Sequence, residues 1–355
     1  MEFALSEDQR LLQDSINGFL EKASPLDTVR EAAAGDTAVR AGVSEGLAEM
    51  GSASLFVPEA HDGLGLGVLE AVLVQEALGA AVAPARFIGD VVAAAAFRWD
   101  GNRGQQAEFL PKIASGEAKF AIALTESVAA REGAGVTASG GKLSGTAMFA
   151  MDGGDATHIL VADRAGLLHV VAAGDAAMKP LQTIDRTRTF HELTFDNAAA
   201  ERLPNAAADD LIRLARVLLA ADTLGASTAM LDKAVAYAKE RKQFGRVIGS
   251  FQAVKHMCAE MAAEIEPARA LVWQAAHAMD TNDPEAPLMA NLVKSHLAEI
   301  GTFVARASTE VHGGMGFTDL VGLHFWFKRI GVNRQLLGSP EAVREDAARL
   351  QGWAA

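Results

Sequence analysis

Little in this chain could staple it, anchor it or carry it onto a polyanion. It has one cysteine, Cys258, in 355 residues, which excludes an intramolecular disulfide framework and fits a reducing cytoplasm. A formal net charge of -13 argues against general nucleic-acid binding, because phosphate attraction needs a basic face. Half of the residues are hydrophobic, yet no uninterrupted apolar run is long enough to span a bilayer. The first ten residues, MEFALSEDQR, lack the basic and apolar order of a secretory leader. No nucleophile elbow, P-loop or zinc motif appears. The alanine-rich, tyrosine-poor composition reads as helical and soluble.

What is present changes period twice, which predicts an α+β chain of three units. Residues 1–115 are helical. Ser6 and Gln9 have capping-box form before Leu11, Leu12, Ile16 and Leu20, so a helix is expected over 7–22. A second is expected over 38–50. Residues 55–67, LFVPEAHDGLGLG, read as an interhelical loop. Residues 116–203 carry short alternating runs around Ile122, Leu143, Leu160, Val170 and Leu193, with hairpin turns at Gly140-Gly141 and Ala165-Gly166. They predict a small β-barrel-like domain. Residues 204–355 return to helical spacing over 206–242, 251–279 and 288–311. Ser339-Pro340 opens a last helix, as expected of a four-helix bundle.

Within that bundle, residues 237–256 read YAKERKQFGRVIGSFQAVKH. A plain turn between helices needs polar residues; Arg241, Lys242 and Arg246 around Phe244, then Gln252, suit a flat, anionic partner. His312-Gly313-Gly314-Met315-Gly316-Phe317 is either a helix C-cap or a place where amides approach a phosphate or ring. His256, Cys258 and Glu260 lack metal-ligand spacing, and no metal site is expected.

Residues 55–67, 240–256 and 311–317 (VHGGMGF), in that order, resemble the acyl-CoA dehydrogenase family over essentially the whole chain. The resemblance implies a helical domain, a β domain and a C-terminal four-helix bundle, assembled as a dimer or tetramer. It also implies FAD at the rim of the β domain, an acyl-CoA substrate and electron-transfer flavoprotein as acceptor. By residue, it places Arg241, Phe244 and Gln252 against the FAD of a neighbouring subunit, with Gly313 and Gly314 at its adenylate half. Leu124, Thr125 and Phe149 match flavin-contacting positions. Ser339 matches a cofactor-binding position, and Arg216 a substrate-binding one.

The implied chemistry requires a carboxylate that removes the thioester α-proton while the β-hydrogen leaves as hydride to the flavin. Leu337 stands where that glutamate belongs, and Ala215 occupies the alternative position. Asp222 and Glu126 are the remaining candidates, each with a plainer role as a helix ion pair or a loop carboxylate. The family's phosphate-binding loop becomes Thr125-Glu126-Ser127-Val128-Ala129-Ala130, and its Trp-x-Thr becomes Phe149-Ala150-Met151. Asp185-Arg186-Thr187-Arg188 resembles the shorter subunit of two-component bacterial enzymes. The expectation is a base-deficient subunit that completes a partner's FAD site; the alternative is a self-sufficient homo-oligomer with a non-standard base.

Overall fold

Where amphipathic spacing meets a cap, the chain is helical. The computed structural model describes residues 4–128 and 132–354. Ser6 and Gln9 close a capping box at the start of α1 (Glu7–Ala23). There follow α2 (Leu26–Ala34), α3 (Thr37–Glu49), α4 (Val68–Ala80), α5 (Ile88–Asp100) and α6 (Arg103–Ala114). Periodicity does not announce α2, whose nine residues make under three turns. Residues 55–67 form an interhelical loop that folds back on itself, Leu64 N donating to Ser54 O and Leu66 N to Leu55 O. Asp280 then caps α4 by accepting from Val68 N and Leu69 N.

Next come β1 (Phe120–Ala123), one helical turn α7 (Thr125–Val128), β2 (Gly135–Ser139), β3 (Lys142–Met151), β4 (His158–Ala162) and β5 (Leu167–Ala172). The sheet is completed by β6 (Ala176–Leu181), β7 (Phe190–Ala199) and β8 (Glu201–Ala207). These eight strands form one sheet in the order β6-β7-β3-β1-β4-β5-β8, with β2 on β3. It is mixed, because β1 runs parallel to β4 and antiparallel to β3. Alternation divides the strands between two cores. Ala121, Ala123, Val136, Leu143, Ile159 and Leu193 fill the domain's own interior. Phe120, Ile122, Met151 and Leu160 face the helical core instead.

The chain ends in α8 (Ala208–Glu240), a hairpin of β9 (Lys242–Gln243) and β10 (Arg246–Val247), α9 (Gln252–Asp280), α10 (Ala286–His312), α11 (Leu323–Gln335) and α12 (Pro340–Leu350). By length and composition α8 could cross a membrane, but 83% of its apolar window is buried inside the protein. It is a core helix. It crosses α4 at backbone contact: a Cβ at Gly225 would lie 1.8 Å from Glu76 O, and one at Gly79 2.1 Å from Asp222 O. Glycine at both positions is what brings α4 and α8 this close.

Candidate functional site

Site residues singled out by sequence separate into two groups, near opposite ends of α8. The first surrounds Arg216. Leu337 lies in a left-handed conformation (φ 57°), 1% exposed, and its carbonyl accepts from Arg216 Nε at 2.9 Å. Arg216 also donates to Asn291 Oδ1 at 2.6 Å and to Asp346 Oδ2 at 3.1 Å. Burial lowers the Arg216 guanidinium, and Asp346 opposes that shift. Ala215 is fully buried, and Ser339 caps α12 through its hydroxyl. A polar cavity of about 360 Å³, lined by Ser127, Arg213, Arg216, Asn291 and Asp346 among others, opens beside them.

The β domain meets this end. Val128 packs 3.4 Å from where a Cβ at Gly338 would stand. Leu124 is buried, and Thr125 opens α7. Glu126 accepts from Met148 N at 3.2 Å. Next to it Phe149 holds φ 54°, within the irregularity of the β3–β7 register between Ala147 and Ala150. A bulky residue at positive φ is uncommon and marks a position held by its surroundings. Ala129 and Ala130, of the run expected to have lost a phosphate-binding loop, lie outside the described residues.

Asp222 is engaged through both carboxylate oxygens. It is 0% exposed, accepts from Gln75 Nε2 and Asn333 Nδ2 at 2.7 Å each, and lies 3.7 Å from Arg329. Asp185 and Arg188 complete the cluster, Arg188 Nε donating to Asp185 Oδ2 at 2.9 Å. Burial would raise the Asp185 carboxyl, but Arg188, Arg329 and the Thr187 hydrogen bonds hold it below its ordinary value. Lys294 lies close by, donating to Asn333 O at 2.6 Å, Arg334 O at 3.3 Å and Gly338 O at 3.4 Å. Burial first, then Arg216 and Arg334, lower its ammonium to about 7. Sequence reasoning missed Lys294, Asn291, Asp346 and Arg329, since nothing local distinguishes a polar residue whose partner is remote in the chain.

The second group lies at the far end of α8. Phe244 and Gly245 both have positive φ (53° and 79°) and join β9 to β10 as a two-residue hairpin turn. Phe244 at its tip is 91% exposed. Arg246 lies over the Phe251 ring at 3.9 Å, and Arg241 and Gln252 are exposed beside it. Tyr237, one turn before the hairpin, stacks on His312 at 4.6 Å, which brings the glycine turn to the same end. Gly313 (φ 58°) and Gly314 have nothing within 4 Å of an added Cβ. That open backbone beside a guanidinium and exposed rings suits a flat, phosphate-bearing group such as FAD. Arg216 and Tyr237 are about 20 residues, and so about 30 Å, apart along one helix.

The acyl-CoA dehydrogenase N-terminal domain matches residues 6–117 and the C-terminal domain residues 206–351. Acyl-CoA dehydrogenase IpdE2 of Mycobacterium tuberculosis is 31% identical over 95% of this chain and 95% of its own. The ChsE4–ChsE5 complex of Mycobacterium tuberculosis superposes with a TM-score of 0.91 at 26% identity, over 100% of each chain. The Tcur3481–Tcur3483 steroid ACAD does so with a TM-score of 0.89 at 28% identity, over 98% of each. By fold and by sequence, the chain belongs to the acyl-CoA dehydrogenase family of oxidoreductases, whose members are FAD flavoproteins.

Proposed function

We propose that this chain is a subunit without a catalytic carboxylate of its own, which completes the FAD site of a partner subunit for α,β-dehydrogenation of an acyl-CoA thioester. The observation that carries this reading is the separation along α8. Arg241, Phe244, Gln252, Gly313 and Gly314 lie about 30 Å from the Leu337 end of the same molecule, and they are exposed. A group they hold is better placed to serve another molecule than the Leu337 end. At that end, leucine and alanine fill both base positions. Asp222 is engaged in its ion cluster, and Glu126 accepts from a backbone amide.

When bound, FAD supplies the hydride acceptor of the reaction. This chain's part is to orient it. The Arg241 guanidinium offers fixed donors to a phosphate or ring oxygen, and Gln252 adds an amide at the start of α9. Phe244 presents an apolar face, while Gly313 and Gly314 admit close backbone approach. The partner is a related acyl-CoA dehydrogenase chain that bears the base, in a dimer or tetramer. Likeness to the ChsE4–ChsE5 complex supports such a pairing, and likeness to a steroid ACAD supports a bulky acyl group. An electron-transfer flavoprotein is the acceptor we expect, in the cytoplasm and in acyl-CoA degradation.

The test is activity by subtraction. The purified chain alone should fail to bleach flavin with a panel of acyl-CoAs, and activity should appear when a co-encoded, glutamate-bearing homologue is added. Stoichiometric flavin with rapid bleaching by the chain alone would show a self-sufficient enzyme and end this reading.

A further inference from the structure

The reading above puts the acyl group between β3, which carries Phe149 on the flavin side, and the base position at Leu337, just past the end of α11. We infer that in this chain a buried ion cluster fills that space, so that the subunit has lost its own acyl site as well as its base. The inference rests on the reading above and extends it from one missing residue to a missing cavity.

The cluster reaches to within one helical turn of Leu337. Asn333, four residues earlier, donates to Asp222 at 2.7 Å and accepts from Arg188 Nη2 at 2.7 Å. Arg329, one turn earlier again, is 1% exposed. It lies 3.7 Å from both Asp222 and Asp185 and donates to Ala83 O and Thr187 Oγ1. Asp185 and Asp222 face Arg188 and Arg329, Asp152 lines the same space, and α4, α8, α11 and the segment before β7 all contribute to the group. Met151 and Phe190 close it from the β domain, and Phe87 and Ile88 from the start of α5.

The room left among these side chains is about 20 Å³. A single water needs roughly 10–15 Å³ of such room, so one water fits and an acyl chain does not. Gln75 Oε1, Arg188 Nη1 and Arg329 Nε are buried there with no hydrogen-bond partner among the described residues. An alkyl chain forced in beside them would desolvate these atoms further without offering them a partner. In front of Arg216, by contrast, the polar cavity is about 360 Å³.

Calorimetric titration of the full-length chain with octanoyl-CoA, phenylpropionyl-CoA and free CoA tests this without requiring bound flavin. In the parent and in Leu337→Glu, each acyl-CoA should bind no more than about twofold tighter than CoA, or neither should bind. A tenfold preference for either acyl-CoA in either protein overturns the inference. Adding Asp222→Ala and Arg329→Met to Leu337→Glu removes one charge of each sign and should create an acyl preference. Its absence in a variant shown to be folded also overturns the cluster as the cause. Turnover by the parent chain alone would refute the proposed function; an acyl preference without turnover would refute this inference and leave that function standing.

Discussion

Leu337 keeps a backbone conformation that its side chain does nothing to favour. An L-residue in the left-handed region costs roughly 1–2 kcal/mol; here Arg216 holds the carbonyl and the apolar side chain is buried. The turn is maintained by its neighbours, chiefly Arg216 and Lys294. Lys294 allows a direct test. Its folded value of about 7 lies below the ordinary 10.5. Between those values the unfolded chain binds the extra proton, so the stability that depends on Lys294 is lowest below about pH 7 and rises as pH climbs towards 10. Urea unfolding of the parent and Lys294→Met across pH 7–10 should show the rise flattened in the variant. Parallel curves would show that Lys294 titrates normally. None of this was legible in sequence. A base missing at 337 can be read from a resemblance, but the lysine, asparagine and aspartate that hold the turn come from α10 and α12 and carry no local mark.

Elements were more legible than residues. Capping residues and apolar spacing located α1, α3, α8, α9 and α10 to within about two residues, because each begins or ends at a recognisable break and all but the core helix α8 bury one stripe. Spacing did not reveal α2, which is short, or α11, which buries Arg329 and Asn333 where a periodic pattern expects apolar side chains. The parallel pairing of β1 with β4 was likewise hidden, since the partners are separated by β2 and β3. The 242–247 hairpin is the most informative element. Two-residue turns with both central residues at positive φ favour Asn-Gly; this one sets Phe244 at its exposed tip, where the ring contributes little to the subunit's own core. Arg241→Ala should therefore leave the melting temperature nearly unchanged, as surface substitutions do. A lost hydrogen bond to a charged group is worth about 1.5–3 kcal/mol, so flavin affinity of the assembly should fall by tenfold or more. Unchanged flavin content in the variant would remove the hairpin from the cofactor site.

At the scale of the whole molecule, the two groups differ in kind. At the Leu337 end the charges are tied down: Arg216 pairs with Asp346, and Lys294 donates to backbone carbonyls. The hairpin end is open, with exposed rings, an exposed arginine and bare glycine backbone about 30 Å away. On the proposed function such a subunit binds its cofactor through association, and flavin retention and oligomeric state should then be linked. Sedimentation of the flavin-loaded assembly over a dilution series, followed at a flavin wavelength and at a protein wavelength, measures that linkage. Flavin should sediment only with the associated species, and the monomer of this chain should be colourless at every concentration. A flavin-bearing monomer would mean that this chain holds a cofactor by itself, and the division of labour between the two ends of α8 would have to be abandoned.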